Sequence, residues 1–277
     1  MRIDAHTHGM HAEKDETGKY VLPIVPIWKP GDSMDGINAT RALGVEKIVL
    51  LDPPHVAFEL AENLPDFCIP VPQVVMEESS PEEIDELFSR GARGIKFIAP
   101  MRSYGDNGYF PLYEAVRDNG GAAVFHTGFL SHGFFHPGHM LGRSDYVDIA
   151  DMRPAAIDRI CRAFPDLKVL MSHFGNPWWE ETWTVMKSNK NVYADLSGGT
   201  ACKKAMTMWK EMFAPDGKLD EASVGKLCFA SDGCALIADG GLGRHVEHHD
   251  RLYDALGLPE ALRRKIDWDN AAMLFGV

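Results

Sequence analysis

The sequence predicts a single closed parallel (β/α)8 barrel, a TIM barrel, spanning residues 1–277. Three observations predict it. Eight short apolar runs alternate with amphipathic helical stretches along the whole chain, the pattern of repeated βα units. A length of 277 residues suits one such barrel. No linker rich in Gly, Pro and Ser, no low-complexity tract and no repeat beyond the βα unit divides it.

The runs that read as strands are Arg2–Ala5, Lys47–Leu51, Phe67–Val71, Gly94–Ile98, Ala122–His126, Lys168–Ser172, Asn191–Leu196 and Lys226–Ser231. The helical stretches between them are Met34–Leu43, His55–Asn63, Pro81–Ser89, Pro111–Asn119, Pro154–Phe164, Glu180–Ser188, Thr200–Phe213 and Arg244–Leu256. Pro81, Pro111 and Pro154 stand where a first helical turn tolerates proline, because the N–H it lacks has no intrahelical partner there. Asp267–Val277 reads as a last helical turn or two packing on the barrel. Two strand-to-helix connections are long: Gly9–Ser33, and Thr127–Arg153 with His132, His136 and His139. Connections of this length commonly cover a site, and both emerge at the carboxyl-terminal face, where such barrels keep their chemistry.

Hydrophobic residues at 45% and charged residues at 25% allow a core of ordinary size. The balance of 28 basic against 40 acidic residues, a formal net charge of −12, argues against nucleic acid or an anionic membrane as partner. A small anionic substrate stays open, since a bound cation reverses the local potential. The five cysteines, Cys68, Cys161, Cys202, Cys228 and Cys234, are odd in number, scattered, and form no Cys-x-x-Cys. That predicts buried thiols in a reduced chain. The first strand begins at once, without the pattern of a signal peptide, and no apolar run approaches the ~18 residues of a membrane span. The expectation is a soluble cytoplasmic protein.

Polar residues close the strands. The first ends in His6-Thr7-His8, the fourth carries Lys96, and the fifth ends in Phe125-His126-Thr127. The sixth ends in Ser172-His173-Phe174-Gly175 and the eighth in Ala230-Ser231-Asp232-Gly233. Side chains two apart on a strand share a face, so His6 and His8 project together. In a closed barrel these ends converge on one mouth. Imidazoles and a carboxylate facing each other there suit a catalytic divalent metal that keeps an open position for water.

This succession of His-x-His, Lys, His, His and Asp resembles the amidohydrolase superfamily. The finer motifs are similar to the amidohydrolase-related branch that includes aminocarboxymuconate-semialdehyde decarboxylase. They are Met1-Arg2-Ile3-Asp4-Ala5-His6-Thr7-His8, Met171-Ser172-His173-Phe174-Gly175, Phe229-Ala230-Ser231-Asp232, and Asp269-Asn270-Ala271-Ala272 before Leu274-Phe275-Gly276. The resemblance implies that His6, His8, His126 and Asp232 bind one divalent ion, zinc by analogy. It makes His173 the general base toward a metal-activated water, with Asp232 also able to hydrogen-bond that water. Lys96 has two functional readings beside that of a lysine pointing outward to solvent. In binuclear relatives a carboxylated lysine bridges two metals; in the mononuclear branch it meets a substrate anion.

Three further groups lie near the same face. Arg153 suits either bidentate binding of a substrate carboxylate or a surface ion pair. Trp178 and its neighbour Trp179 either pack a helix or form an apolar wall of the pocket. Asp195 closes the seventh strand and is placed to orient a ligand histidine. His245, His248 and His249 fall on one helical face and read as a solvated surface, while His11 and His55 have no identifiable partner. The expected activity is hydrolysis of a small, carboxylated substrate. The alternative is zinc-dependent, non-oxidative decarboxylation of an aromatic or dienoic acid, with Arg153 or Lys96 facing the leaving carboxylate. A barrel that binds a small molecule without turnover is a third reading, disfavoured by the intact base at His173. Family analogy implies a homodimer.

Overall fold

Parallel strands are covered on both faces, and here the apolar runs form a wall with helices outside it and packed side chains within. The computed structural model describes residues 1–14, 20–26, 30–130, 147–198, 201–236 and 241–277, with backbone alone at 10–14, 20–26, 30–33 and 201. The strands are β1 Arg2–Thr7, β2 Met10–Lys14, β3 Tyr20–Pro26, β4 Val45–Leu50, β5 Cys68–Pro70, β6 Gln73–Val74, β7 Gly94–Phe97, β8 Ala122–His126, β9 Lys168–Ser172, β10 Val192–Asp195 and β11 Leu227–Cys228. The helices are α1 Pro30–Ala42, α2 Pro54–Asn63, α3 Pro81–Ser89, α4 Phe110–Asp118, α5 Ala155–Ala163, α6 Trp179–Ser188, α7 Met206–Phe213, α8 Glu221–Val224, α9 Leu242–Leu256, α10 Glu260–Arg264 and α11 Asn270–Phe275.

Parallel pairing runs β1-β4-β5 in one sheet and β6-β7-β8-β9-β10-β11 in another. Backbone bonds join the two sheets at both seams. At the first, β5 pairs with β4 and β6 with β7. Between them the Val71 N–H donates to Leu50 and the Lys96 N–H to Pro72, so one interrupted strand carries the wall across. The expected third strand, Phe67–Val71, is therefore longer, and it is broken where Pro72 has no N–H to give. At the second seam Ala5 N donates to Phe229 O at 3.0 Å, Asp232 N to His6 O at 2.8 Å, and His8 N to Gly233 O at 2.9 Å. These bonds close the barrel beside the residues that matter most.

The first long connection is not a plain loop: β2 and β3 form an antiparallel hairpin, with Met10 opposite Pro26 and Lys14 opposite Tyr20. In the second, residues 131–146, and with them His132, His136 and His139, lie outside the described residues, as does the side chain of His11. Inside the barrel, Ile3, Ala5, Val49, Leu51, Val124 and Leu170 pack against Ala271, Leu274 and Phe275 of α11. The carboxyl-terminal segment thus plugs the amino-terminal mouth, as a packed tail should.

The wall has one irregularity that positions the site. Asp4 pairs with Ile48, yet Thr7 pairs with Leu50, so three steps on β1 match two on β4. The extra residue is a bulge, and beyond it the in–out phase of β1 reverses. Thr7 then turns to the wall, donating its hydroxyl to Val49 O at 2.8 Å. His6 and His8 turn to the interior.

Helix α9 corrects one expectation. His245, His248 and His249 are buried, not solvated. They continue the apolar stripe of Leu242, Leu252 and Tyr253 at spacings of three and four, while Arg244, Glu247, Arg251 and Asp254 take the other face. A neutral imidazole is apolar enough to share such a stripe. His249 Nδ1 donates to His245 O at 2.8 Å, and its ring meets Phe229 at 4.8 Å. Among the described residues no helix is long and apolar enough to cross a membrane.

Burial holds His249 near 3 and His245 near 4, below the ordinary imidazole value. Both are neutral in either state above ~6.5; below that the unfolded chain binds protons that the fold excludes, so stability falls with pH. Each histidine costs about 1 kcal/mol per pH unit in this window. His249→Asn keeps a donor for His245 O. Its urea-unfolding free energy should drop less between pH 7.5 and 5 than that of the wild type, by about 2 kcal/mol.

Candidate metal centre

Each group in the barrel mouth is placed by a strand end. His6 and His8 follow the β1 bulge, and Asp232 follows β11. His6 Nε2 and His8 Nε2 each lie 3.2 Å from Asp232 Oδ1. The far nitrogens are held from behind: His6 Nδ1 is 3.2 Å from Asp195 Oδ2, and His8 Nδ1 is 3.3 Å from Asp52 Oδ1. A carboxylate only accepts, so Asp195 and Asp52 each hold a ring proton on Nδ1 when it stands there, and each Nε2 faces Asp232 Oδ1. Two imidazole nitrogens and a carboxylate oxygen within 4.8 Å of one another form a place suited to a positive charge.

Without metal, a proton on His8 supplies that charge. Burial opposes it, but hydrogen bonds to Asp232 and Asp52 raise His8 to about 10. Asp232 is held well below the usual carboxylate range; burial works against its charge, and His173, His6 and His8 outweigh burial. His6 is buried, whereas His8 and Asp232 are 26% and 30% exposed, so the cluster opens toward solvent on one side.

His126 and His173 form the facing half. His126 Nε2 is 3.3 Å from the carbonyl of Phe129 and must donate to it, which leaves Nδ1 bare, 3.2 Å from His173 Nε2. Burial first holds both imidazoles below their ordinary value, His173 at about 4; the charges of His173 and Lys96 add to it at His126, and those of His6 and Lys96 at His173. The His6 and His173 rings meet at a tilt of 42°, 4.7 Å between centroids. The donor set thus fits a divalent cation held by His6, His8 and Asp232, with His126 on the opposite wall.

Two of these residues have left-handed backbones: His173 at φ 60° and Asp232 at φ 58°. Such a conformation costs about 1 kcal/mol for a residue with a Cβ. The site itself holds both in place. His173 N donates to Asp195 Oδ1 at 2.8 Å, and Asp232 N to the His6 carbonyl at 2.8 Å. Residues strained in this way cluster at functional sites.

Lys96 points inward from β7 and is buried, its Nζ donating to Ser172 Oγ at 2.8 Å. Burial lowers it to about 8 despite the attraction of Asp195 and Asp232. Arg153 stays apart. Its guanidinium pairs with Glu181, lies 5.2 Å from the Trp178 ring, and is half-exposed. Neither Arg153 nor Trp178 is joined to the cluster by a hydrogen bond or ion pair among the described residues. Asp195 does contact His6, at 3.2 Å.

Four residues escaped the sequence reading. Asp52 lies two residues beyond the end of β4, and the rule that picked out the other strand-end groups applies to it too. Ser197 lies two residues beyond Asp195 and touches both His6 and His173. Asp4, fully buried with its carboxyl pushed up to about 7 by burial, accepts from the backbone of His6 and Ser231. Tyr104 donates to the His126 carbonyl at 2.9 Å; nothing in its local sequence marks it.

Asp52→Asn removes the anion behind His8. Metal affinity should fall about 10–100-fold, as for other partners of metal-bound histidines, measured by competition with a chromophoric chelator. Unchanged affinity would remove Asp52 from the centre.

Solved structures share this architecture. An uncharacterized TIM-barrel protein from Bordetella bronchiseptica is similar at a TM-score of 0.66 and 18% identity, covering 99% of this chain and 98% of its own. A probable 2-pyrone-4,6-dicarboxylic acid hydrolase from Acinetobacter baumannii, solved with citric acid bound, gives 0.62 and 14% over 100% and 99%. A 5-carboxyvanillate decarboxylase from Novosphingobium aromaticivorans, solved with bound manganese, gives 0.61 and 15% over 100% and 97%. No curated protein sequence matches. The model of the amidohydrolase family Amidohydro_2 matches residues 3–277, and the chain belongs to that family.

Proposed function

We propose that this protein is a metal-dependent hydrolase acting on a small, carboxylated substrate, with His173 as general base. The observation that carries this reading is the convergence of His6 Nε2, His8 Nε2 and Asp232 Oδ1 beside the imidazole of His173. His6, His8, His126 and Asp232 would hold one divalent cation, zinc or manganese. When bound, the cation polarises a substrate oxygen and lowers the pKa of nearby water toward ~7.

The chain's own residues do the rest. His173, neutral at pH 7, takes a proton and returns it to the leaving group. Lys96, lowered only to about 8, remains largely protonated at neutral pH and offers Nζ to an anionic group of the substrate. Asp52 and Asp195 keep the ring protons of His8 and His6 on the far side, so neither imidazole turns away.

Lys96 also supports a second reading. A buried cation above the metal ligands can face a leaving carboxylate, and His173 can then deliver a proton to substrate carbon. That is non-oxidative decarboxylation, the reaction in the name of one structural neighbour. The two separate by product. Metal-replete protein is incubated with 2-pyrone-4,6-dicarboxylate and with 5-carboxyvanillate, in H₂¹⁸O and in D₂O. Hydrolysis places ¹⁸O in an opened pyrone; decarboxylation releases CO₂ and leaves deuterium at the vacated carbon. Turnover of neither, with metal bound, would count against both readings.

Two variants test the assigned roles. His173→Asn should retain metal and lose about 10²–10⁴-fold in kcat, the usual contribution of a general base. Elemental analysis of wild type beside Asp232→Asn and Lys96→Ala should show about one metal per chain, lost with Asp232 and kept without Lys96. A second equivalent that disappears with Lys96 would instead indicate a carboxylated-lysine bridge.

A further inference from the structure

We propose that Gln73 is a substrate-recognition residue. Its side-chain amide, level with Lys96 on the floor of the barrel mouth, donates to an oxygen of the bound acid other than the carboxylate that meets Lys96. The proposal rests on the reading of the mouth as the site of a carboxylated substrate.

Strand alternation aims this side chain. Ile69 and Val71 face the barrel interior, in one cluster with Ala5, Val124 and Leu170, whereas Val74 faces outward in the cluster of Ile84 and Phe97. Gln73, two residues past Val71 and next to Val74, continues the inward row. Its partner across the parallel pair is Lys96, which in turn pairs with Val124. On the other side Gln73 N donates to Asp52 O at 2.8 Å, and the Asp52 carboxylate stands behind His8. Gln73 therefore lies in the wall between the strand end that supports His8 and the strand that carries Lys96.

The amide there is idle within the chain. Gln73 is 7% exposed, and its Nε2 is buried with no hydrogen-bond partner among the described residues. Other polar side chains of the mouth differ. Asp52 meets His8, Lys96 meets Ser172, His126 meets His173 and Asp195 meets His6. A buried amide without a partner costs stability, and a leucine or methionine would extend the row of Ile69 and Val71 at no such cost. A polar group kept against stability fits a site that a bound molecule completes.

The amide is neutral, so it selects by hydrogen bonding rather than by charge. Its complement is an oxygen acceptor: a carbonyl, a phenolic or ether oxygen, or a second carboxylate. The substrate class is then an acid with at least two separate oxygen functions, one facing Lys96 Nζ and one facing Gln73 Nε2.

Isothermal titration calorimetry on zinc-loaded protein tests this with three acids. Two, 2-pyrone-4,6-dicarboxylate and 5-carboxyvanillate, carry several oxygen functions; benzoate carries one carboxylate and no other oxygen. Wild type should bind one of the first two more tightly than benzoate. Gln73→Met keeps the length of the side chain and removes the amide. It should weaken that acid about 10-fold, the worth of one hydrogen bond, and leave benzoate and bound zinc unchanged. Urea unfolding without any acid gives a second reading, in which Gln73→Met and Gln73→Leu should match or exceed the wild-type midpoint. Benzoate bound as tightly as both other acids, or an affinity that Gln73→Met leaves unchanged or lowers equally for all, would overturn the role of Gln73 and leave the carboxylate reading in place. So would a lowered midpoint in both variants, which would show an amide already satisfied inside the fold. If wild type binds none of the three acids, the reading of a carboxylated substrate falls, and the role of Gln73 falls with it.

Discussion

The carboxylate of Asp195 lies at the end of β10 with no exposure to solvent, and it accepts four hydrogen bonds: from His173 N, from Ser197 N and Oγ, and from His6 Nδ1. A buried carboxylate survives as an anion only when so satisfied. Burial alone would raise its pKa, yet His6 and His173 hold it well below the usual range. Through one oxygen it fixes a strained backbone at His173 and a turn at Ser197, and through the other a ring of the metal cluster. Remove it, and His6 loses its anchor while His173 loses what holds it in the left-handed region.

The barrel makes that hub possible by geometry. Closure of the wall brings β1 beside β11, and the seam bonds from Asp232 N to His6 O and from His8 N to Gly233 O set the ligands within reach of one another. The β1 bulge then turns both histidines inward while leaving Ile3 and Ala5 in the core below. Apolar packing supplies the rigidity: strand side chains fill the lower barrel, α11 plugs its amino-terminal end, and His6, His8, His126, His173 and Asp232 stand at or just beyond the strand ends. Each polar group is therefore held by backbone that the core has already fixed.

Electrostatics divides the mouth into two halves. His8, Asp52 and Asp232 form a region that demands a cation, met by a proton in the metal-free chain and suited to a divalent ion. His126, His173 and Lys96 form a region where burial and mutual repulsion disfavour further positive charge. A neutral imidazole beside a place suited to a cation is what this asymmetry produces. The overall charge of −12 is no obstacle to an anionic substrate, because a cation bound in the mouth, with Lys96, would set the local field.

The sequence by itself determined the alternation of strands and helices, and with it the barrel. It also marked His6, His8, His126, His173 and Asp232 as polar residues at strand ends. Those signals are local: apolar periodicity, and the contrast of an imidazole or carboxylate with the run before it. Tertiary structure decided the rest. The inward turn of His6 and His8 depends on a register shift against β4, which needs the partner strand to define it. The burial of His245, His248 and His249 depends on what α9 packs against, since a neutral imidazole suits either face of a helix. Arg153 could not be separated from a surface ion pair until Glu181 was placed beside it by the fold. Ser197 has no meaning as a residue in isolation. It acquires one because strand ends distant in sequence bring an anion and an imidazole to opposite sides of its hydroxyl.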